Sequence, residues 1–150
     1  MTEERKPPIR LLMAEDDPED QMLVRLALQQ ARLTNPLDVV EDGEELLDYL
    51  RRRGKYSQAE RPDLILLDLN MPRKNGREAL EELKGDPELR GIPVVVLTSS
   101  SAEEDVLSTY DLGVSSYVPK PVTFEKLVDV VRTVGKYWLE IVRLPPNGAR

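Results

Sequence analysis

The stretch Asp63-Leu64-Ile65-Leu66-Leu67-Asp68 decides the fold. It predicts a strand over Asp63 to Leu67 whose Ile65-Leu66-Leu67 core is apolar on both faces, closed by a charge at Asp68. A half-exposed antiparallel strand alternates polar and apolar residues, whereas a strand of a parallel sheet covered on both faces does not. Outward from it, Ile9 to Ala14, Leu37 to Val40, the valine-rich Ile92 to Leu97, and Ser115 to Val118 read as four further short strands.

Helix-length segments stand between them. Asp17 is placed as an N-cap with Pro18 at the first helical position, and Leu23, Leu26, Ala27, Gln30 and Leu33 follow at helical spacing. Asp42-Gly43-Glu44-Glu45 opens a second helix carrying Leu46, Leu47 and Leu50, and the polar loop Gly54 to Pro62 follows it. Asn75 to Lys84 is the third, with Ala79, Leu80 and Leu83 inward. Ser101-x-x-Glu104 is a capping box for the fourth, with Gly113 suited to its C′ position, and Thr123 caps the fifth. The pattern is strand–helix five times over, an α/β, doubly wound (βα)5 parallel sheet.

Composition narrows the chemistry. The 150 residues contain no Cys and no His, which excludes disulfides, thiolate and imidazole metal sites, and triads built on histidine. With 28 acidic against 21 basic residues, the net charge of −7 argues against nucleic acid or anionic membrane as a partner. The longest basic cluster, Arg51-Arg52-Arg53, is a solvated helix end. No apolar run approaches the roughly 20 residues of a membrane span, and the first eight residues lack the apolar core of a secretory signal. A cytoplasmic protein is expected.

In such sheets the site lies beyond the C-terminal ends of the strands. Glu15, Asp16 and Asp17 follow the first strand, Asp68 the third, Thr98-Ser99-Ser100 the fourth, and Lys120 the fifth. In the order 2-1-3-4-5, strands one and three are neighbours, and Glu15, Asp16 and Asp68 converge. Three carboxylates in one crevice repel unless a cation neutralises them. Oxygen-only ligation suits Mg2+, with Mn2+ or Ca2+ able to substitute. Lys120 adds a positive charge and Thr98 a hydroxyl, a set fitted to a phosphoryl group. Asp68 is the candidate nucleophile. Each residue also has a plainer reading: Asp17-Pro18 as a cap, Glu15 and Asp16 as acids favoured by a helix N-terminus, Tyr117 as an ordinary half-buried aromatic.

Ala14-Glu15-Asp16-Asp17-Pro18, Leu66-Leu67-Asp68-Leu69-Asn70-Met71-Pro72-x-x-x-Gly76, Val96-Leu97-Thr98-Ser99 and Tyr117-x-x-Lys120-Pro121 together resemble the receiver domain of bacterial two-component response regulators, from about Ile9 to about Val134. The resemblance implies a flavodoxin-like fold and a single-domain signalling protein rather than an enzyme. Asp68 would accept a phosphoryl group from a phosphohistidine on a sensor histidine kinase. Asp16 would ligate Mg2+ directly, Glu15 through water, and Asn70 through its carbonyl. Lys120 would pair with a phosphoryl oxygen. Thr98 would swing toward the phosphoryl group and Tyr117 would move inward. The fourth helix, fifth strand and fifth helix would form the output face, and the site would catalyse its own dephosphorylation.

Arg61 to Asn70, Pro93 to Ser100 and Tyr137-Trp138-Leu139-Glu140-Ile141-Val142-Arg143-Leu144-Pro145 are similar to the regulators paired with cyanobacterial and bacterial phytochromes. That implies a red-light photoreceptor kinase as partner, with a further phosphotransfer or target protein downstream. Two rivals stand beside this reading. One is an Mg2+ phosphatase with an aspartyl nucleophile, disfavoured because Asn70 stands where such enzymes place a second Asp. The other is a degenerate receiver acting as a binding module.

The expected organisation is a flexible N-terminus over 1–8, a receiver over 9–134, and an extension over 135–150 ending in disorder. Gly135 interrupts the last helical stripe at a cost of about 1 kcal/mol relative to Ala. Phe124, Val131, Trp138, Ile141 and Leu144 are expected to form an apolar homodimer surface on this extended helix and tail.

Overall fold

A computed structural model describes residues 9–99, 110–121 and 123–136. Five parallel strands, β1 (Leu11–Ala14), β2 (Leu37–Val40), β3 (Leu64–Leu67), β4 (Val94–Thr98) and β5 (Ser116–Pro119), form one sheet in the order β2-β1-β3-β4-β5. This is the doubly wound order expected. Strands β1, β3 and β4 are buried along their whole length, while the edge strands β2 and β5 are mostly half-buried. β4 starts two residues later than its apolar run. Pro93 has no N–H to give the ladder, although its carbonyl still accepts from Ile65 N at 3.0 Å.

Alternation along each strand sorts the core into two layers. Leu12, Ala14, Ile65, Leu67, Val94 and Val96 face α2 (Gly43–Leu50) and α3 (Gly76–Gly85). Leu11, Met13, Leu64, Leu66, Val95 and Leu97 face α1 (Pro18–Gln30) and the terminal helix α4 (Phe124–Val134), the fifth helix of the sequence reading. Side-chain caps start every one of these helices. Asp17, Asp42 and Thr123 accept from the backbone N–H groups of Glu19, Glu45 and Lys126. A reciprocal capping box joins Asn75 and Glu78. The box expected at Ser101 and Glu104 lies outside the described residues. Residues 110–112 are helical, and Gly113 follows them at φ 96°, the left-handed cap expected there. In the loop Gly54 to Pro62, a 3-10 turn at Gly54–Tyr56 sets the Tyr56 ring 5.1 Å from that of Tyr49.

Two readings of the last helix change. Val131 is only 6% exposed and packs beneath α4 in its own chain's core, so it is not part of a surface for a second copy. Its place in the stripe marks it as sharing a face with Leu127 and Val128, and that face meets the sheet. Gly135 is not a mere interruption. It is buried, and a Cβ there would stand 2.4 Å from Leu33 Cδ1. Its small size lets the end of the helix close on the segment that follows α1. Trp138, Ile141 and Leu144, the N-terminal residues 1–8 and the expected disordered end lie outside the described residues.

Candidate phosphoryl and metal site

The backbone ladder carries on one residue past the strands and thereby places the site. Glu15 N donates to Val40 O at 2.9 Å, Asp68 N to Ala14 O at 3.0 Å, and Lys120 N to Thr98 O at 2.8 Å. Each functional side chain is thus tied to a neighbouring strand at a fixed height. Their side chains converge on a single crevice, as the switch-point rule requires.

Carboxylate oxygens of Glu15, Asp16 and Asp68 lie within 4.8 Å of one another. Glu15 and Asp68 are 1% and 4% exposed, and Asp16 is open to solvent. A hard divalent cation fits this donor set: it is oxygen only, multiply charged, buried on one side and open on the other. Glu15 is further fixed by Asp17 N, which donates to its Oε2 at 3.1 Å, while Gln21 Nε2 donates to its main-chain carbonyl at 2.6 Å.

Lys120 lies among three acids. Its Nζ bonds Glu15 Oε1, Asp20 Oδ2 at 2.7 Å and Asp68 Oδ2 at 3.4 Å. Burial pushes the Glu15 carboxyl up to about 7, partly offset by the hydrogen bond from Lys120. Burial alone would lower Lys120, but its bonds to Asp20 and Glu15 outweigh that and hold the ammonium above its ordinary range.

The remaining Asp68 oxygen is also engaged. Thr98 Oγ1 donates to Asp68 Oδ1 at 2.7 Å, and Asn70 N reaches the same oxygen at 3.2 Å. The Asn70 amide in turn lies 3.4 Å from Thr98 Oγ1 and 3.4 Å from Ser99 Oγ. Behind Asp68, Gly76 packs directly on the strand end, and its N–H donates to Leu69 O at 3.1 Å. The loop from Asp68 to Gly76 is clamped to α2. Arg73 pairs with Asp42 at 2.8 Å, and Gly43 N donates to Lys74 O at 2.7 Å.

Glu15, Asp16, Asp68, Asn70, Thr98 and Lys120 therefore meet as the sequence suggests. Tyr117 stands apart on β5, half-buried, with its N–H donating to Tyr110 Oη at 3.2 Å. Phe124 is 36% exposed at the start of α4. Asp20 and Gln21 were not anticipated. Both lie in the first turns of α1, where an acid is ordinarily read as a dipole partner; their four-to-six-residue offset from Glu15 and Asp16 was the available signal.

A family model described as the response regulator receiver domain matches residues 11–132. Response regulator Rcp1 of Synechocystis sp. is 41% identical over 145 residues, covering 97% of this chain and 99% of that protein. The crystal structure of the Mn2+-bound form of Rcp1 superposes with a TM-score of 0.86 at 41% identity, over 93% of this chain and 100% of that one. The phosphorylated cyanobacterial phytochrome response regulator RcpA superposes with a TM-score of 0.88 at 41% identity, over the same shares of the two chains.

Proposed function

The chain belongs to the response regulator receiver domain family, and on that footing we propose that it is a phosphorylation-driven signalling switch whose phosphoacceptor is Asp68. One observation carries this reading. The Asp68 carboxylate is buried at the end of the central strand, with Thr98 and Lys120 on its two oxygens and Glu15 and Asp16 beside it.

The step is phosphoryl transfer. An Asp68 oxygen forms a bond to phosphorus as the bond from phosphorus to the donor's imidazole nitrogen breaks, and that nitrogen keeps the electron pair. These 150 residues contain no histidine, so the donor imidazole lies outside them, on a sensor histidine kinase. Lys120 offsets charge on the phosphoryl oxygens, and the Thr98 hydroxyl exchanges Asp68 for the new acceptor. Tyr117 then moves inward on the edge strand. Glu15, Asp16 and Asp68, with the Asn70 carbonyl, would hold Mg2+, which when bound supplies further neutralisation of that charge. The same site returns the protein to rest by hydrolysis of the acyl phosphate.

Likeness to the phytochrome response regulator RcpA supports a phytochrome-type photoreceptor kinase as the donor. We place this exchange in the cytoplasm. No helix among the described residues is long and apolar enough to cross a membrane. The exposed Phe124 with Trp138, Ile141 and Leu144 would form a homodimer surface.

Acetyl phosphate with Mg2+ tests the core of the proposal. Mass spectrometry is expected to find one phosphoryl group, on Asp68, absent from Asp68→Asn. Labelling of Asp68→Asn at another residue would overturn the assignment.

A further inference from the structure

We infer that Asp20 is a positioning residue for phosphoryl binding, holding the Lys120 ammonium at the mouth of the site through their 2.7 Å ion pair. The inference rests on the reading of Asp68 as phosphoacceptor and adds a residue to that site.

Lys120 has three N–H donors and three carboxylate neighbours, Glu15, Asp20 and Asp68. Two of these belong to the cluster suited to a divalent cation; Asp20 does not. When a cation engages Glu15 and a phosphoryl group occupies Asp68, both acceptors are committed elsewhere. Asp20 is then the carboxylate still free to hold the ammonium. Without it, a side chain with four rotatable bonds must be ordered by the phosphoryl group alone, at an entropic cost that weakens binding.

The surroundings favour this role. Asp20 lies in the first turn of α1, and Lys120 just beyond β5, so the pair bridges two elements 100 residues apart in sequence. It stands at the edge of a groove whose walls include Met13, Leu23, Leu97 and Leu127. Apolar walls lower the local dielectric and strengthen the attraction, while the Asp20 side chain, 32% exposed, keeps part of its hydration.

The sign of the effect is diagnostic. Removing a negative charge near an anion site would, by Coulomb repulsion alone, tighten the anion. Weakening with Mn2+ binding intact therefore points to the lysine.

The test is titration of the Mg2+-loaded protein with beryllofluoride, a phosphoryl mimic, followed by NMR. Asp20→Asn is expected to bind it at least fivefold more weakly than the parent, and Asp20→Glu to recover most of the loss. Mn2+ affinity without fluoride should stay within threefold in both variants, which reports an intact fold and metal site. Asp20→Ser serves as a second neutral variant. Unchanged or tighter beryllofluoride binding in the neutral variants, an equal loss of Mn2+ binding, or no recovery with Glu would overturn the role of Asp20. Failure of the parent protein itself to bind beryllofluoride would instead overturn the phosphoacceptor reading on which it rests.

Discussion

The Thr98 hydroxyl donates a 2.7 Å hydrogen bond to Asp68 Oδ1, and both side chains are buried. The Asp68 carboxylate, the proposed nucleophile, is therefore tied to the end of β4. On the proposed function, a phosphoryl group on Asp68 would offer the hydroxyl a more highly charged acceptor, and chemistry at β3 would become movement at β4. Replacing Thr98 with Ala leaves a buried carboxylate short of one donor, which costs about 1–3 kcal/mol. Thr98→Ala should melt lower than the parent by calorimetry, still take label from acetyl phosphate on Asp68, and show no shift of the Tyr117 NMR signals on labelling.

Glu15 sets a pH dependence on the metal-free protein. Its carboxyl lies at about 7 in the fold against an ordinary 4.5. Between those values the unfolded chain has lost a proton that the fold retains. Stability then falls as pH rises through this window, by on the order of 3 kcal/mol for a shift of this size. Urea midpoints at pH 5 and pH 7 should show the drop in metal-free protein. Glu15→Gln, which cannot ionise, should remove most of it.

Two glycines of α3 should respond in opposite directions. A Cβ at Gly76 would stand 2.2 Å from the main-chain oxygen of Asp68, and that oxygen cannot yield without moving Asp68 itself. Gly76→Ala should cost about 1–3 kcal/mol or more and slow acetyl phosphate labelling. At Gly85 a Cβ meets nothing within 4 Å. Gly85→Ala should stabilise by about 0.4–1 kcal/mol and leave labelling unchanged, as denaturant titration can show.

The proposed dimer surface is separable from the switch. Trp138→Ala should weaken self-association in sedimentation velocity at micromolar protein without changing the rate of Asp68 labelling. An unchanged sedimentation profile would mean that the apolar tail is covered by its own domain. Val131→Ala, by contrast, should lower thermal stability by creating a cavity, since Val131 is core.

Val131 and Asp20 show where reading the chain stops. Helical spacing groups Leu127, Val128 and Val131 on one face, but period alone does not say whether that face meets the chain's own sheet or another molecule. Asp20 reads locally as a first-turn acid. Its meeting with Lys120 is a contact across 100 residues that no local pattern encodes. Gly135 reads as a weak point in a helix because helix propensity is local, whereas its close approach to Leu33 is not.

The sequence by itself determined the strand–helix alternation, the parallel sheet and the strand-end residues Glu15, Asp16, Asp68, Thr98 and Lys120. Apolar runs, caps and turn residues act through neighbours in the chain, and the right-handed crossover leaves few ways to stack the units. Only the tertiary structure decided which carboxylates share Lys120, which Asp68 oxygen Thr98 holds, and which glycines brace the site. Those are distances between strands and helices remote in sequence, set by how the finished layers pack. The absence of histidine belongs to the first kind: it is legible at once, and it means that a donor imidazole would have to lie outside these 150 residues.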